Sequence, residues 1–136
     1  MQEKTLMDTT SNNILHIEGG TSRPTVLFNS NTGQFRLLGR SILENSIAFY
    51  EPIVRWIESY IRKPASLTEF HMELEYFNTS TSKYILQIMQ LFESLCDCGC
   101  NVVIVWYYAD EDMLELGNDY QQIVKVPFEY RELKFD

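Results

Sequence analysis

Between Thr68 and Leu95 the apolar residues change their spacing once, and no other feature of the chain restricts the fold as much. From Thr68 to Tyr76 they alternate, with Phe70, Met72, Leu74 and Tyr76 on one face and Glu69, His71, Glu73 and Glu75 on the other. Period two marks a strand with one packed face and one solvated face. From Tyr84 the spacing becomes three and four, through Ile85, Ile88, Met89, Phe92 and Leu95, which is the stripe of an amphipathic helix. The apolar run Val102 to Tyr108 then supplies a buried strand, so the region predicts a strand–helix–strand unit.

The same reasoning extends to the rest of the chain. Ile14 to Glu18 predicts a short strand, and PTVLFN followed by GQFRLLG predicts a hairpin around Asn29 to Gly33. Tyr50, Ile53, Val54, Ile57, Tyr60 and Ile61 predict a first helix, in which Pro52 belongs to the first turn or marks a kink. Asp110-Glu111-Asp112 opens a third helix carrying Met113, Leu116, Tyr120 and Ile123, its carboxylates suited to a helix N-terminus. Val126 to Tyr130, containing Pro127, predicts an edge strand. The expected order is β-β-β-α-β-α-β-α-β, an α/β fold at the boundary with α+β. It is a single mixed sheet with about three helices mainly on one face and two parallel crossovers. A solvated face on the Thr68–Tyr76 strand argues against a doubly wound sheet.

One domain over residues 14–136 accounts for the 136 residues, and 1–13 is expected to be a disordered tail. Met1 to Asn13 has no basic run followed by an apolar stretch, so neither a signal peptide nor a transit peptide is expected, and the cytoplasm is the expected location. A net charge of −8 would repel nucleic acid and anionic membranes, leaving protein partners or small ligands.

The candidate chemistry lies in four places. Cys96, Cys98 and Cys100 could offer thiolates to a soft metal. The nearest candidates for a fourth ligand are Asp97 and whatever the fold supplies, while His16 and His71 fall on strands elsewhere, so reduced thiols at a helix end are the simpler reading. His71 is expected to be an exposed imidazole. Glu69, Glu73 and Glu75 lack an accompanying nucleophile, base or phosphate loop, and read as a solvated face. Asp110-Glu111-Asp112 reads as helix-end charge rather than a metal site. The fourth place is the seam itself, where Thr79, Ser80, Thr81 and Ser82 follow Asn78 at the start of the second helix. Asn78 or Thr79 suffices as a cap, so the surplus hydroxyls are either ordinary first-turn residues or phosphorylation sites. A phosphoryl group at a helix N-terminus meets free N–H groups and a favourable dipole, so it would alter the surface without melting the domain. Lys83 follows Thr79 by four residues on the same helical face and could pair with it. Spacing alone does not choose among the four hydroxyls.

The segments GRSILENSIAFYEPIVRWIESY, LEYFNTSTSKYILQIM and YYADEDMLELGNDYQQIVKVPFEY resemble the SiaC family of bacterial regulatory phosphoproteins, over most of Gly33 to Tyr130. The resemblance implies a fold like that of anti-sigma-factor antagonist (STAS-like) domains and places the phosphorylated threonine of the asparagine-threonine-serine motif on Thr79, with Ser80 as runner-up. It also implies a non-enzymatic switch, without cofactor, that a dedicated kinase phosphorylates and a PP2C-like phosphatase resets. In the family's type member the unphosphorylated form binds and activates a diguanylate cyclase. The partner surface would then include Asn78, Ser80 and Lys83. One departure is Leu43, where family members often have proline before the Glu44-Asn45 pair. A constitutive interaction domain without phosphorylation is the alternative, and a metal protein using Cys96, Cys98 and Cys100 a more distant one.

Overall fold

The computed structural model describes residues 8–10 and 13–133. In chain order its elements are β1 (Asp8–Thr10), β2 (Ile14–Ile17), β3 (Thr25–Asn29), β4 (Gln34–Ser41), α1 (Ser46–Tyr60), β5 (Leu67–Phe77), α2 (Thr79–Asp97), β6 (Asn101–Tyr108), α3 (Glu111–Ile123) and β7 (Phe128–Glu132). The tail expected over 1–13 lies largely outside the described residues. Within it, Asp8–Thr10 is strand, paired antiparallel with β2.

The seven strands lie side by side in chain order. β1 to β4 form an antiparallel meander, and β4, β5, β6 and β7 run parallel, joined through α1, α2 and α3. The mixed sheet is as expected, with three parallel crossovers rather than two. All three helices bury their stripes in one core against alternate strand residues, among them Val26, Phe28, Phe35, Leu37, Phe70, Met72, Leu74, Ile104 and Trp106. Because the strands advance in a single direction, the sheet has no switch point between oppositely directed crossovers, where open α/β sheets usually hold a cofactor. Helices α1, α2 and α3 instead begin in a row at the C-terminal ends of β4, β5 and β6, each capped by the residue before it. Asn45 Oδ1 accepts from the Ala48 N–H at 3.1 Å, Asn78 Oδ1 from Thr81 at 3.1 Å and Asp110 Oδ1 from Met113 at 2.9 Å.

Four local expectations are corrected. Pro52 lies inside α1, beyond the first turn, on the exposed face; the fully buried Tyr50, Ile53 and Ile57 hold the helix together across the missing N–H. Pro127 stands just before β7, and its carbonyl accepts from Ile104 N–H at 2.9 Å. On α3 the buried stripe runs through Met113, Gly117 and Tyr120, leaving Leu116 and Ile123 exposed. A Cβ on Gly117 would lie 2.6 Å from Trp106 Nε1, so the glycine lets the helix sit directly on the indole.

The fourth correction concerns β5. Its register with β4 slips between Gly39 and Arg40, where Gly39 faces Leu74 and Arg40 faces Tyr76. The extra residue is Glu75, and a bulge of this kind reverses the facing of everything after it. Phe77 therefore takes the core position expected of Tyr76, and Tyr76 is 52% exposed. The outer face of β5 is also less open than its sequence suggests. His71 is only 8% exposed, with Nδ1 3.0 Å from Tyr107 Oη and Nε2 3.0 Å from Glu69 Oε1. Glu73 is clasped by Arg36 through Nε at 2.8 Å and Nη2 at 3.0 Å. With no helix on this side among the described residues, side-chain pairs cover this part of the sheet.

Candidate functional site

The hydroxyl run forms the first turn of α2, directly after the β5 bulge, and its four members have four different environments. Thr81 is fully buried. Its Oγ1 donates to Ser41 O at 3.2 Å and lies 2.8 Å from Ser41 Oγ, which is 2.8 Å from Tyr50 Oη. Since Thr81 spends its proton on the Ser41 carbonyl, Ser41 must donate to Thr81 and Tyr50 to Ser41. This closed relay ties β4, α1 and α2 together, and burial raises the Tyr50 hydroxyl above the usual tyrosine range, so it remains a donor. Ser82 is half-buried and bonds back to Thr79 O at 2.6 Å. Ser80 is exposed but engaged twice, with Asn78 Oδ1 at 3.1 Å and Ser46 Oγ at 2.6 Å.

Thr79 is the remaining hydroxyl. It is exposed, and its side chain makes no hydrogen bond among the described residues. Sequence spacing could not separate the four, because burial and bonding within one turn depend on β4 and α1, which lie far away along the chain.

Asn78 is half-buried and faces inward. Its Nδ2 donates to Leu43 O at 3.2 Å, its N–H to Ser41 O at 3.1 Å, and its Oδ1 caps α2. Asn78 therefore positions the turn, in the capping role the sequence offered it. Ser80 and Lys83 do reach the surface and line a groove of about 470 Å³ between the first turns of α1 and α2, with Asn45, Ser46, Ile47 and Tyr84. Ile47, 64% exposed, stands at its rim, and Lys83 makes no ion pair among the described residues. Sequence reasoning missed two exposed large side chains, Ile47, which lines the groove with Ser80, and Tyr76, which the bulge turns outward. The only signal for Ile47 was its position off the α1 stripe.

Among the described residues no group of three His, Cys, Asp or Glu side chains is placed to hold a metal ion. Cys96, Cys98 and Cys100 sit in a glycine-closed helix end, where Gly99 N–H donates to Cys96 O and Cys100 N–H to Leu95 O, both at 2.9 Å. Burial, with Asp97 and Glu93 nearby, pushes the Cys96 thiol up, away from the thiolate a metal needs. Glu69 and Glu73 are occupied by His71 and Arg36, and Asp110 by its cap.

Residues 17–133 match the family model for SiaC family regulatory phosphoproteins. The chain belongs to the SiaC family. This SiaC-family chain is 28% identical over 116 residues to an uncharacterised protein of Pseudomonas aeruginosa, covering 84% of this chain and 92% of that one. Its fold superposes on apo-SiaC from Pseudomonas aeruginosa with a TM-score of 0.81 at 27% identity, covering 87% of this chain and 98% of that one. It also matches the structure of the diguanylate cyclase SiaD in complex with its activator SiaC, from the same organism, with a TM-score of 0.82 at 27% identity over 88% and 99% of the two chains. The family assignment and the partner complex formed by a relative fit a regulatory protein that acts by binding. Among the described residues no helix is long and apolar enough to cross a membrane.

Proposed function

We propose that this SiaC-family chain is a phosphorylation-controlled binding switch whose acceptor is the Thr79 hydroxyl. The observation that carries the reading is that, among the described residues, Thr79 is the one hydroxyl of the four in this turn that is exposed and makes no side-chain hydrogen bond. Its bare form binds and activates a partner enzyme, a diguanylate cyclase by analogy with the complex of SiaD and its activator SiaC, through the surface that Asn78, Ser80, Lys83, Ile47 and Tyr84 form beside Thr79. A dedicated kinase adds the phosphoryl group and a PP2C-like phosphatase removes it. The protein itself catalyses nothing and works in the cytoplasm, the reducing compartment its three free cysteines suit.

Phosphorylation is compatible with the fold, because the first turn of α2 offers free N–H groups and Lys83 lies one helical turn beyond Thr79. The added charge of about −1.5 to −2 would stand beside the apolar rim of the groove, where a partner would have to desolvate it. The test is peptide mass spectrometry on protein from its native cell, followed by cyclase assays with the bare and phosphorylated forms. Phosphate on Thr79 and activation by the bare form alone support the proposal. Equal activation by both forms would leave a constitutive interaction domain.

A further inference from the structure

Two hydroxyls of the motif, Thr79 and Ser80, are exposed, yet only one is free, and the difference comes from a residue on another helix. Ser46, the first residue of α1, is 5% exposed, and its Oγ lies 2.6 Å from Ser80 Oγ. The Asn78 atom facing Ser80 at 3.1 Å also accepts the Thr81 N–H, so it is the amide oxygen and can only accept. Ser80 therefore donates to Asn78, and Ser46 donates to Ser80. The Ser80 oxygen thus has its proton committed and one lone pair occupied, and its side chain is held toward α1.

We infer that Ser46 is a specificity-determining residue that keeps Ser80 from being phosphorylated and confines the modification to Thr79. The inference rests on the proposed switch and specifies how its site is chosen. In the transfer, a bond forms between the acceptor oxygen and the γ-phosphorus of a nucleoside triphosphate as the bond from that phosphorus to the diphosphate leaving group breaks. The hydroxyl proton passes to a base on the kinase. Thr79 can present a lone pair and its proton without losing any bond. Ser80 would first have to release Asn78 and Ser46 and turn away from α1. Because Asn78 Oδ1 also caps α2, a phosphoryl group on Ser80 would press against the cap itself.

The experiment maps phosphate by fragment-ion mass spectrometry on full-length protein expressed in its native cell, comparing the parent with Ser46→Ala, Ser46→Thr, Thr79→Ala and the Ser46→Ala/Thr79→Ala double variant. The parent and Ser46→Thr should carry phosphate on Thr79 with no more than a trace on Ser80, and Thr79→Ala no more than that trace in this turn. In Ser46→Ala the ratio of Ser80 to Thr79 phosphate should rise about tenfold, the change expected from losing one well-made hydrogen bond. The double variant should carry phosphate on Ser80. Far-UV circular dichroism and a melting curve establish that each variant is folded; if alanine fails there, Ser46→Cys, with its weaker donor, is read instead. Phosphate on Thr79 with none on Ser80 in folded Ser46→Ala overturns the inference and leaves the switch standing, as does Ser80 phosphate in the parent at a level comparable to Thr79. Absence of phosphate from both residues in every version overturns the switch and this inference together.

Discussion

Thr81 Oγ1 lies 2.8 Å from Ser41 Oγ, and neither side chain is exposed at all. Forty residues separate the two in the chain. Their bond joins the end of β4 to the first turn of α2, fixing the backbone that presents Thr79. Replacing Thr81 by Val keeps the shape but leaves the buried Ser41 hydroxyl without an acceptor, an unsatisfied group that costs about 1–3 kcal/mol. Urea denaturation of Thr81→Val should show that loss, and an unchanged midpoint would mean the relay is not formed in solution.

Asn78 combines a cap with a link to Leu43. Asn78→Ala loses both and should destabilise the domain by about 1–2 kcal/mol, the usual value of an N-cap. Asn78→Asp keeps an acceptor for Thr81 N–H but cannot donate to Leu43 O, so it should fall between the parent and alanine. Thermal melts of the three proteins give the order directly.

Thr79→Glu places a carboxylate in the first turn of α2, where the dipole favours it, and breaks no existing bond. Its folding stability should stay within about 0.5 kcal/mol of the parent. Its affinity for the partner should fall about tenfold or more, since the charge must be desolvated at the interface. Isothermal titration against the purified partner separates this from Thr79→Val, which should bind nearly as well as the parent.

Gly117→Ala sets two effects against each other. Alanine favours a helix over glycine by about 1 kcal/mol. The new Cβ would lie 2.6 Å from Trp106 Nε1, however, and the indole is fully buried and donates to Met113 O at 2.9 Å. It cannot move aside without breaking that bond, so overpacking of about 1–3 kcal/mol should win. A lower melting temperature, with reduced near-UV signal from Trp106, is the expected outcome.

Burial pushes the Tyr120 hydroxyl up to about 12, and the hydroxyl donates to Ser82 O at 3.0 Å, a bond that only the protonated form can make. An unfolded chain releases this proton near pH 10, where the folded chain keeps it. More protons are then bound in the folded state, so stability is intact below about pH 10 and falls as pH rises from there toward 12. Tyr50 contributes in the same direction. Tyr120→Phe should flatten part of the fall when unfolding is followed between about pH 8 and 11. An equal slope in parent and variant would show that Tyr120 titrates normally.

Much of this architecture is legible in the chain because its elements carry clean periodicities. The stripes Tyr50–Ile53–Val54–Ile57 and Ile85–Ile88–Met89–Phe92 place α1 and α2 correctly, and the run Val102 to Tyr108 marks β6. What escaped local reading depends on cross-strand partners. The bulge at Glu75 is a matter of pairing with β4, so the sequence could not show that Phe77 would be buried and Tyr76 exposed. His71 lies in a polar alternation and yet is buried, because Tyr107 and Glu69 converge on its ring.

The sequence by itself determined that a strand runs into a helix through Asn78, Thr79, Ser80, Thr81 and Ser82, because period and capping chemistry are properties of neighbouring residues. The resemblance carried by the same stretch pointed to phosphorylation at Thr79. Only the tertiary structure decided that Thr81 is core, Ser80 is tied to Ser46, Ser82 bonds back to the helix and Thr79 stands free. The physical reason is that a hydroxyl's availability depends on where other donors and acceptors lie in space. For Thr81 and Ser80 those groups include Ser41 on β4 and Ser46 on α1, brought beside the turn only when the parallel strands pair.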